Sequence, residues 1–402
     1  MDESSITKLA RNEVQDFIRQ HELEDEVKLS LKHKTLFDLP FSLIAQQLIG
    51  RKKSKEKLPI WHNTNGIVFP PSLNLEQCSS EATAQYKARW VAMLPIRDLF
   101  IDVTGGFGID SYFLSHVFQR GVMLEPNNEL LLIAKHNHQL LLADNLEYLP
   151  INAAQFLQTE VLPINLLYID PSRRSGTKKV LKLADCTPNV VELQEQFLAL
   201  SQYVLVKASP LLDIQQGLRE LSHVEEVVVL AVDNEVKELL FLQNRKFIGE
   251  PEIRAVDFNS KLQIQTDFVF KFSDERGLIA ETSAPQEFLY EPSASILKAG
   301  AFKSAGLHYG LKKIHPNTHL YTSEKPVGEF AGRIFKIEVV HPQSADIAQW
   351  LPDGKANVTT RNYPLTPEEL KKKLKLKDGG DKYVIAFSEE KRKTIVIATR
   401  IK

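Results

Sequence analysis

The chain has 402 residues, of which 43% are apolar and 25% are charged, and its formal net charge is −1. This length exceeds one ordinary domain, and the apolar fraction is large enough for sizeable cores. A nearly neutral chain has no global field that would draw it to nucleic acid or membrane, so such an affinity must come from a local patch. Two cysteines, Cys78 and Cys186, are too few for a disulfide framework or a cysteine-based zinc site.

The first residues of the chain argue against secretion, and the apolar pattern of the chain argues against a membrane span. Residues 1–17 include acidic side chains and lack the apolar core of a signal peptide. No stretch approaches the roughly 18 uninterrupted apolar residues of a membrane span. We therefore expect a cytoplasmic protein without a membrane partner. We also expect no metal, because His136 and His138 stand two apart on a predicted helix and face differently.

Residues 1–95 are predicted to be mainly helical, because apolar residues recur at three- and four-residue spacing. The basic stretch "GRKKSKEK" (Gly50–Lys57) is predicted to be a solvated loop. The stretch "SSEATAQYKARWVAML" (Ser79–Leu94) begins with serines and an early glutamate, which is typical of a capped amphipathic helix. Its Thr83 and Lys87 lie one turn apart, either closing over a ligand carboxylate or facing solvent.

Residues 96–248 alternate short apolar runs with helical segments. Near-continuous apolar strands separated by helices indicate a parallel sheet covered on both faces, here a Rossmann-like, doubly wound α/β sheet of seven strands. The predicted strands are Leu99–Val103, Gly121–Glu125, Leu146–Ile151, Ile164–Asp170, Tyr203–Ser209, Glu225–Val232 and Glu238–Gln243.

The remainder of the chain has a different, α+β pattern. It contains alternating strand-like sequence, and after about residue 357 it reads strand, helix, strand, strand. From Lys371 to Lys402 there are eleven Lys or Arg against four Asp or Glu. This local basic excess indicates either the exposed side of a helix, around Lys371, Lys372 and Lys373, or a surface that follows phosphates.

Three glycines follow the first strand of the predicted sheet, in "DVTGGFG". Gly105, Gly106 and Gly108 permit positive φ and close approach to the backbone, at the carboxyl edge where such sheets bind ligands. The dinucleotide pattern is only weakly met, since Ser111 stands at its third small position, and no phosphate-loop lysine follows. The glycines alone allow a dinucleotide site, as in an oxidoreductase, or a plain tight turn.

Acidic residues at the same edge narrow the choice. Glu125 ends the second strand and can accept hydrogen bonds from both hydroxyls of a ribose. Asp102 precedes the glycines, and Asp170-Pro171 follows the fourth strand. Three carboxylates suit a cationic adenosyl cofactor better than a pyrophosphate, because Asp102 can receive the ammonium group of S-adenosylmethionine (SAM).

This arrangement resembles the class I SAM-dependent methyltransferases over roughly residues 98–245. "DVTGGFG" resembles their first motif, Glu125 their ribose acid, "INAAQFL" their adenine region and "YIDPSRR" their fourth motif. Members often have an acid where this chain has Asn152, which can still bond the adenine amine. The resemblance implies SAM as cofactor and the following binding residues: Asp102, Thr104, Gly105, Gly106, Gly108, Asp110, Glu125, Asn152, Ala153 and Asp170.

A closer resemblance covers most of the chain. The segments "SSEATAQYKA", "DPSRR", "VKASPLLD", "NEVKELLF", "YEPSASILKAG" and "NTHLYTSE" are similar to those of the bacterial THUMP-like methyltransferases. This similarity implies a helical region at 1–95, a methyltransferase domain at 96–248, a small ferredoxin-like domain at 249–324 and a THUMP-like domain at 325–402. THUMP domains are associated with tRNA modification, so the implied partner is RNA, with tRNA favoured over rRNA.

The fourth motif departs from the pattern of amino-methylating enzymes, which is Asp/Asn-Pro-Pro-aromatic. Asp170 and Pro171 are kept, but Ser172 replaces the second proline and Arg173 replaces the aromatic ring that stacks on a flipped base. We expect these four residues to form the catalytic loop. Arg173 and its neighbour Arg174 are expected to stack on a base, bind phosphate or pair with nearby acids.

The sequence is compatible with two hypotheses about the function of the protein. The first is a SAM-dependent methyltransferase that modifies a base in RNA, with substrate contacts from Arg174, Lys207, Lys371, Lys372 and Lys373. The second is a protein of the same fold that binds SAM or RNA without transferring a methyl group, which the altered fourth motif would explain. Neither cysteine is expected to be a nucleophile.

Overall fold

The fold is described from a computed structural model that covers residues 1–158, 163–173 and 182–402. The strands in these ranges are β1 (Thr35–Leu36), β2 (Leu39–Pro40), β3 (Leu99–Asp102), β4 (Arg120–Leu124), β5 (Leu146–Leu149), β6 (Ile164–Ile169), β7 (Ser172–Arg173), β8 (Cys186–Thr187), β9 (Ser201–Ala208), β10 (Val224–Val232), β11 (Glu235–Asn244), β12 (Glu252–Phe258), β13 (Ile264–Phe270), β14 (Phe288–Pro292), β15 (Lys312–His315), β16 (Thr318–Ser323), β17 (Gly332–Val340), β18 (Asn357–Arg361), β19 (Lys382–Ser388) and β20 (Lys393–Arg400).

The helices in the same ranges are α1 (Glu3–Leu9), α2 (Asn12–Gln20), α3 (Glu26–Lys32), α4 (Phe41–Lys57), α5 (Pro59–Asn63), α6 (Ser72–Gln77), α7 (Glu81–Val91), α8 (Ile109–Ser115), α9 (Asn128–Leu140), α10 (Ala153–Phe156), α11 (Val190–Leu200), α12 (Ile214–Glu220), α13 (Phe272–Gly277), α14 (Ala294–Ala299), α15 (Phe302–His308), α16 (Ser344–Trp350) and α17 (Pro367–Leu374). None of these described helices is both long enough and apolar enough to cross a bilayer.

The chain divides into two compact units. The first unit contains residues 1–225 and 239–249, and the second contains residues 226–238 and 250–402. Strand β10 begins in the first unit and continues into the second, and β11 begins in the second and ends in the first.

The first unit is built on a mainly parallel sheet in which the strand order is β11-β9-β6-β3-β4-β5. Strand β3 pairs in parallel with β4 on one side and with β6 on the other, and β11 pairs antiparallel to β9. The chain runs outward from β3 to β5 and then returns to β6, so the order reverses between β3 and β6. Ligands bind at this reversal in doubly wound sheets, and it places the loops after Asp102 and Ile169 side by side.

The Rossmann-like α/β prediction is confirmed, because each of the seven predicted apolar runs is a strand, from β3 to β6 and from β9 to β11. Near-complete burial explains the continuous apolar sequence: along β6 the residues alternate little, and Leu166, Leu167 and Ile169 are fully buried.

The helices before the sheet share a core with it. Trp61 in α5 is fully buried, and its ring lies edge-on at 4.9 Å from the ring of Tyr112 in α8. The same core includes Ile44 of α4 and Ile133 of α9. The helical segment 1–95 is therefore packed on the glycine-loop side of the first unit and supports α8.

The predicted loop at 50–57 is wrong, because these residues form the last two turns of α4. Their charges have partners that the sequence does not reveal. Arg51 pairs with Glu22 at 2.7 Å, and Lys52 pairs with Glu26 at 2.8 Å. Ion pairs with distant segments keep this basic stretch helical.

The second unit contains a sheet of the order β15-β16-β14-β17-β20-β19-β18, and β10, β12 and β13 also pair within the unit. Strand β14 pairs antiparallel with both β16 and β17, so the sheet is continuous across residue 324. The buried carboxylate of Glu291 in β14 forms ion pairs with Arg333 of β17 and Arg361 of β18. This carboxylate joins three strands that are far apart in the sequence.

Candidate functional site

The glycine loop connects β3 to α8, and each of its three glycines lies in a different environment. A Cβ on Gly105 would lie 2.5 Å from Met123 Cγ, so the backbone here is pressed against β4. Gly108 has φ +85°, and a Cβ on it would lie 2.6 Å from a ring carbon of His138. Gly106 has φ +56°, but a Cβ there would meet nothing closer than Thr104 O at 3.8 Å. Only Gly106 therefore presents open backbone to a ligand.

His138 of α9 anchors the end of this loop. Its Nε2 donates to Gly108 O at 3.0 Å, and its Nδ1 accepts from the Tyr148 hydroxyl at 2.9 Å. Burial lowers the pKa of His138 to about 4, so the ring is neutral at physiological pH. The histidine is therefore a structural support for the loop.

Glu125 lies directly after β4 and faces the open glycine. Its Oε2 accepts from Gly106 N at 2.8 Å, and its Oε1 accepts from Asn127 N at 2.8 Å. Burial raises the pKa of Glu125 above its ordinary value, and the two backbone donors oppose this change. The carboxylate is therefore fixed at the edge of the loop, where ribose hydroxyls can donate to it.

Asp102 is almost completely buried, and its carboxylate accepts hydrogen bonds from the glycine loop and from α8. Its Oδ1 accepts from Thr104 N at 2.9 Å, and its Oδ2 accepts from the Ser111 hydroxyl at 2.6 Å. Burial raises the pKa of Asp102 to about 7. Both oxygens are already engaged by the loop and by α8, so an ammonium group of SAM would have to share them.

Thr104 links the glycine loop to the fourth motif. Its hydroxyl donates to Asp102 Oδ1 at 3.3 Å and accepts from Asp170 N at 2.7 Å. The structure thereby brings together the two loops that the sequence placed on neighbouring strands.

Asp170 forms an ion pair with Lys207 of β9, with 2.6 Å between Oδ2 and Nζ. The Asp170 side chain is 33% exposed, whereas that of Lys207 is 11% exposed. Burial raises the pKa of Asp170, and the neighbouring ammonium of Lys207 opposes the increase. Lys207, predicted as a substrate-side group, is therefore held at the fourth motif by this carboxylate.

A second ion pair is connected to the pair of Asp170 and Lys207. Lys87 of α7 is 1% exposed, and its Nζ lies 2.9 Å from Asp110 Oδ1. The Ser79 hydroxyl joins the pairs, because it donates to Asp110 Oδ2 at 2.7 Å and accepts from Lys87 at 2.8 Å and Lys207 at 3.1 Å. The Tyr168 hydroxyl also donates to Asp110 Oδ2, at 2.8 Å. We call these six residues the buried polar network: Ser79, Lys87, Asp110, Tyr168, Asp170 and Lys207.

Charge within the network determines how Asp110 titrates. Burial acts to raise the pKa of Asp110, but Lys87 and Lys207 outweigh this effect and hold the pKa below its ordinary value. Asp110 is therefore ionised and neutralised by lysines, and it lies in the first turn of α8, where the helix dipole also favours an anion. The solvent-facing alternative for Thr83 and Lys87 is wrong, since both are buried.

The rest of the catalytic loop is only partly described. Ser172 and Arg173 form β7, which pairs antiparallel to β8, and the Ser172 hydroxyl donates to Thr187 O at 3.3 Å. Pro171 lies between this strand and Asp170. The side chain of Arg173 and all of Arg174 lie outside the described residues, so their predicted roles stay predictions.

Asn152, which the sequence predicts to lie at the adenine, caps a short helix. It is exposed at the N-terminus of α10, and its Oδ1 accepts from Gln155 N at 2.9 Å, while Gln155 Oε1 accepts from Asn152 N. This reciprocal pair is a capping box. The next residue, Ala153, is buried.

The predicted basic residues of the second unit lie on α17. Lys371 pairs with Asp378 at 2.8 Å, whereas Lys372 and Lys373 are exposed. Thr366 and Glu369 form a capping box at the start of the helix.

Sequence reasoning missed Ser79 and Tyr168. Ser79 had a signal, because it begins the "SSEATAQYKA" segment that resembled a known family. Tyr168 had none, since it reads as one more apolar residue of a buried strand. Of the two cysteines, Cys186 is buried, and burial raises the pKa of Cys78 to about 11.

Family models match the C-terminal part of the chain. A ferredoxin-like domain model matches residues 288–330, and a THUMP domain-like model matches residues 332–400. A crystal structure of a candidate methyltransferase from Porphyromonas gingivalis W83 is 30% identical, with a TM-score of 0.86 and coverage of 100% of both chains. Two relatives in Mycobacterium tuberculosis, strains CDC 1551 and H37Rv, are described as uncharacterized SAM-dependent methyltransferases; each is 23% identical over 75% of this chain and 80% of its own length.

The strand order, the glycine loop and the acid after β4 define a class I SAM-dependent methyltransferase, for which SAM is the cofactor. The residues present suit this group, because open backbone at Gly106 faces a fixed carboxylate at Glu125. The chain belongs to the methyltransferase family that carries C-terminal ferredoxin-like and THUMP-like domains.

Alanine substitutions should separate cofactor binding from stability in the glycine loop. Gly106→Ala places a methyl group on the open face, so we expect SAM affinity to fall about tenfold, with a stability loss of only about 1–2 kcal/mol for the left-handed backbone. Gly108→Ala is expected to lose more stability, because its Cβ also collides with His138. Calorimetry with SAM and chemical denaturation measure the two effects. Unchanged SAM affinity in folded Gly106→Ala would contradict the placement of the cofactor.

Proposed function

We propose that this methyltransferase modifies RNA, with tRNA as the favoured substrate and rRNA as the second candidate. The observation that carries the proposal is the THUMP domain-like match at residues 332–400, in one chain with a methyltransferase unit. The basic excess after Lys371 supports it, because contacts to phosphate dominate the affinity of proteins for RNA. Such a substrate suits the cytoplasm.

In this proposal the parts of the chain have distinct roles. Residues 96–248 bind SAM, and the segments 249–324 and 325–402 hold the RNA. SAM supplies an electrophilic methyl group on a positively charged sulfur. Glu125 accepts the ribose hydroxyls, the backbone at Gly106 allows close approach, and Asn152 and Ala153 border the adenine. The loop from Asp170 to Arg173 positions the methyl acceptor, so catalysis is mainly positioning.

The direct test uses radiolabelled SAM with RNA from cells that lack this gene. We expect label in the tRNA or rRNA fraction and none in DNA of the same length. Labelling of DNA but not RNA would contradict the proposed substrate, and the absence of label in every nucleic acid would reject the proposal.

Exposed lysines of α17 should contribute to RNA affinity. We expect the double variant Lys372→Glu/Lys373→Glu to weaken RNA binding about tenfold and to reduce the salt slope by about 1–2. Lys371 is not a suitable target, because Asp378 already pairs with it. The matched control is Lys28→Glu/Lys32→Glu, which makes the same charge change at exposed positions of α3. Equal weakening in both variants would show that only net charge matters.

A further inference from the structure

The ion pair of Asp170 and Lys207 has a consequence for the chemical nature of the methyl acceptor. Asp170 directly follows β6 at the sheet reversal and is a third exposed, so it is the member of the buried polar network that a substrate can reach. Its Oδ2 is held by Lys207 at 2.6 Å. Lys207 is in turn held by Ser79, and Ser79 by Asp110. The carboxylate that meets the acceptor thus comes with an ammonium group in a fixed position.

An ammonium beside the acceptor favours an oxygen nucleophile over a nitrogen nucleophile. An amine that takes a methyl group develops positive charge, which calls for an unpaired carboxylate and is opposed by a lysine at contact distance. A hydroxyl must lose its proton and carries negative charge as it does so, and a positioned ammonium stabilises that charge. The pairing of Asp170 with Lys207 therefore matches the charge change of a hydroxyl acceptor.

The sequence of the loop after Asp170 and the environment of the two cysteines support the same conclusion. The loop sequence Asp-Pro-Ser-Arg has no aromatic side chain at position 173, where amino-methylating enzymes place the ring that stacks on a flipped base. Transfer to carbon through a cysteine is unsupported within the described residues, because Cys186 is buried and Cys78 has a raised pKa. In RNA the hydroxyl that recurs at every nucleotide is the ribose 2′-hydroxyl.

We infer that this enzyme methylates a ribose 2′-hydroxyl of RNA, with Asp170 as the group that receives the hydroxyl proton and Lys207 as the residue that positions and ionises Asp170. This inference rests on the proposed RNA substrate and specifies its acceptor atom. It differs from base methylation, which the resemblance of the sequence to RNA-modifying enzymes had favoured.

The step balances with the groups at hand. An O–C bond forms as the S–C bond breaks, and the pair of electrons of the broken bond stays on sulfur. The hydroxyl proton moves to Asp170 Oδ1, the oxygen that does not form the ion pair with Lys207. A hydroxyl with a partly formed bond to carbon is strongly acidic, so a carboxylate is a sufficient base. Asp170 then releases the proton to solvent.

The chemistry of the product gives the first test. RNA from cells that lack this gene is methylated in vitro with radiolabelled SAM and then hydrolysed with alkali, which cannot cleave next to a 2′-O-methyl group. We expect the label in alkali-resistant dinucleotides. Label in single nucleotides would overturn this inference and leave the proposed RNA substrate standing, whereas no label in any RNA would overturn both.

The pH dependence of the reaction gives the second test, because the ammonium of Lys207 opposes the increase that burial causes in the pKa of Asp170. The charged and titratable groups that face Asp170 are Lys207 of β9, Lys87 of α7, Asp110 of α8, Asp102 of β3 and the Cys78 thiol. Lys207→Met removes a cation, so the pKa of Asp170 should rise, and the acidic limb of kcat/KM should move upward by about 1–3 pH units. Lys207→Arg keeps the charge and should move the limb much less.

Two measurements make this second test independent of turnover. Carbon NMR of the aspartate carboxyls in protein without SAM should show the same upward shift for Asp170 in Lys207→Met. Calorimetry should show that both variants bind S-adenosylhomocysteine within about threefold of the parent. An unchanged acidic limb together with an unchanged Asp170 titration would overturn the role given to Lys207.

Discussion

Replacing Asp170 with asparagine is expected to lower the rate of methyl transfer about a thousandfold, the usual scale for loss of a positioned proton acceptor. The neutral amide cannot take the hydroxyl proton, and it leaves the Lys207 ammonium without its partner at 2.6 Å. The backbone bond from Asp170 N to Thr104 should persist, since it does not involve the carboxylate. We therefore expect S-adenosylhomocysteine affinity to change by less than about threefold. Single-turnover assays and calorimetry measure the two quantities.

A suitable control for that variant is Asp213→Asn. Asp213 caps α12, where its side chain accepts from Gln216 N, and asparagine caps helices equally well. The transfer rate of Asp213→Asn should therefore equal that of the parent. If Asp170→Asn retained more than about a tenth of the parent rate, Asp170 could not be the proton acceptor.

Replacing Lys87 with methionine is expected to lower the free energy of unfolding by about 3–5 kcal/mol, the usual cost of leaving one partner of a buried ion pair uncompensated. Lys87 is 1% exposed and Asp110 is 10% exposed, so water cannot replace the lost partner. The double variant Lys87→Met/Asp110→Asn should recover part of the loss, because it also removes the buried negative charge. Urea denaturation of the parent and both variants measures these differences.

Arg89→Met is the matched control for Lys87→Met. Arg89 lies on the same helix, α7, and is exposed, so its replacement should change stability by no more than about 0.5 kcal/mol. If Lys87→Met cost as little as this control, the buried polar network would contribute nothing to folding.

The parts of the site that lie within short sequence motifs were predictable from the sequence. Gly106 and Glu125 are examples: a turn after one strand and an acid after the next must meet when the strands are parallel neighbours. The same reasoning placed Asp170 beside the glycine loop, which the bond to Thr104 confirms.

The polar network was not predictable in the same way. Ser79 and Lys207 are separated by 128 positions, and their contact depends on how α7 packs on the sheet. Periodicity indicated that Lys87 lies on a helix but not which face is buried. The error at residues 50–57 has the same origin, since the partners of Arg51 and Lys52 come from α3 and from the connection between α2 and α3. Long-range pairing of charges leaves no local pattern.

The second unit shows a related limit. Motif resemblance predicts a boundary at residue 324, and the family models change from one to the other between residues 330 and 332. The strands β14 and β17 lie on either side of this boundary and are hydrogen-bonded neighbours, and Glu291 adds ion pairs across it. A variant truncated at residue 324 would expose the edge of β14, so point substitutions on α17 are the better probe of RNA binding.

The hydroxyl of Thr104 also bears on the timing of the reaction. It is bonded to Asp102 below the glycine loop and to the backbone of Asp170 at the acceptor side. A displacement of one loop should therefore be transmitted to the other through this side chain. The gap between the methyl donor and its acceptor should consequently fluctuate less than the position of either loop relative to the rest of the sheet.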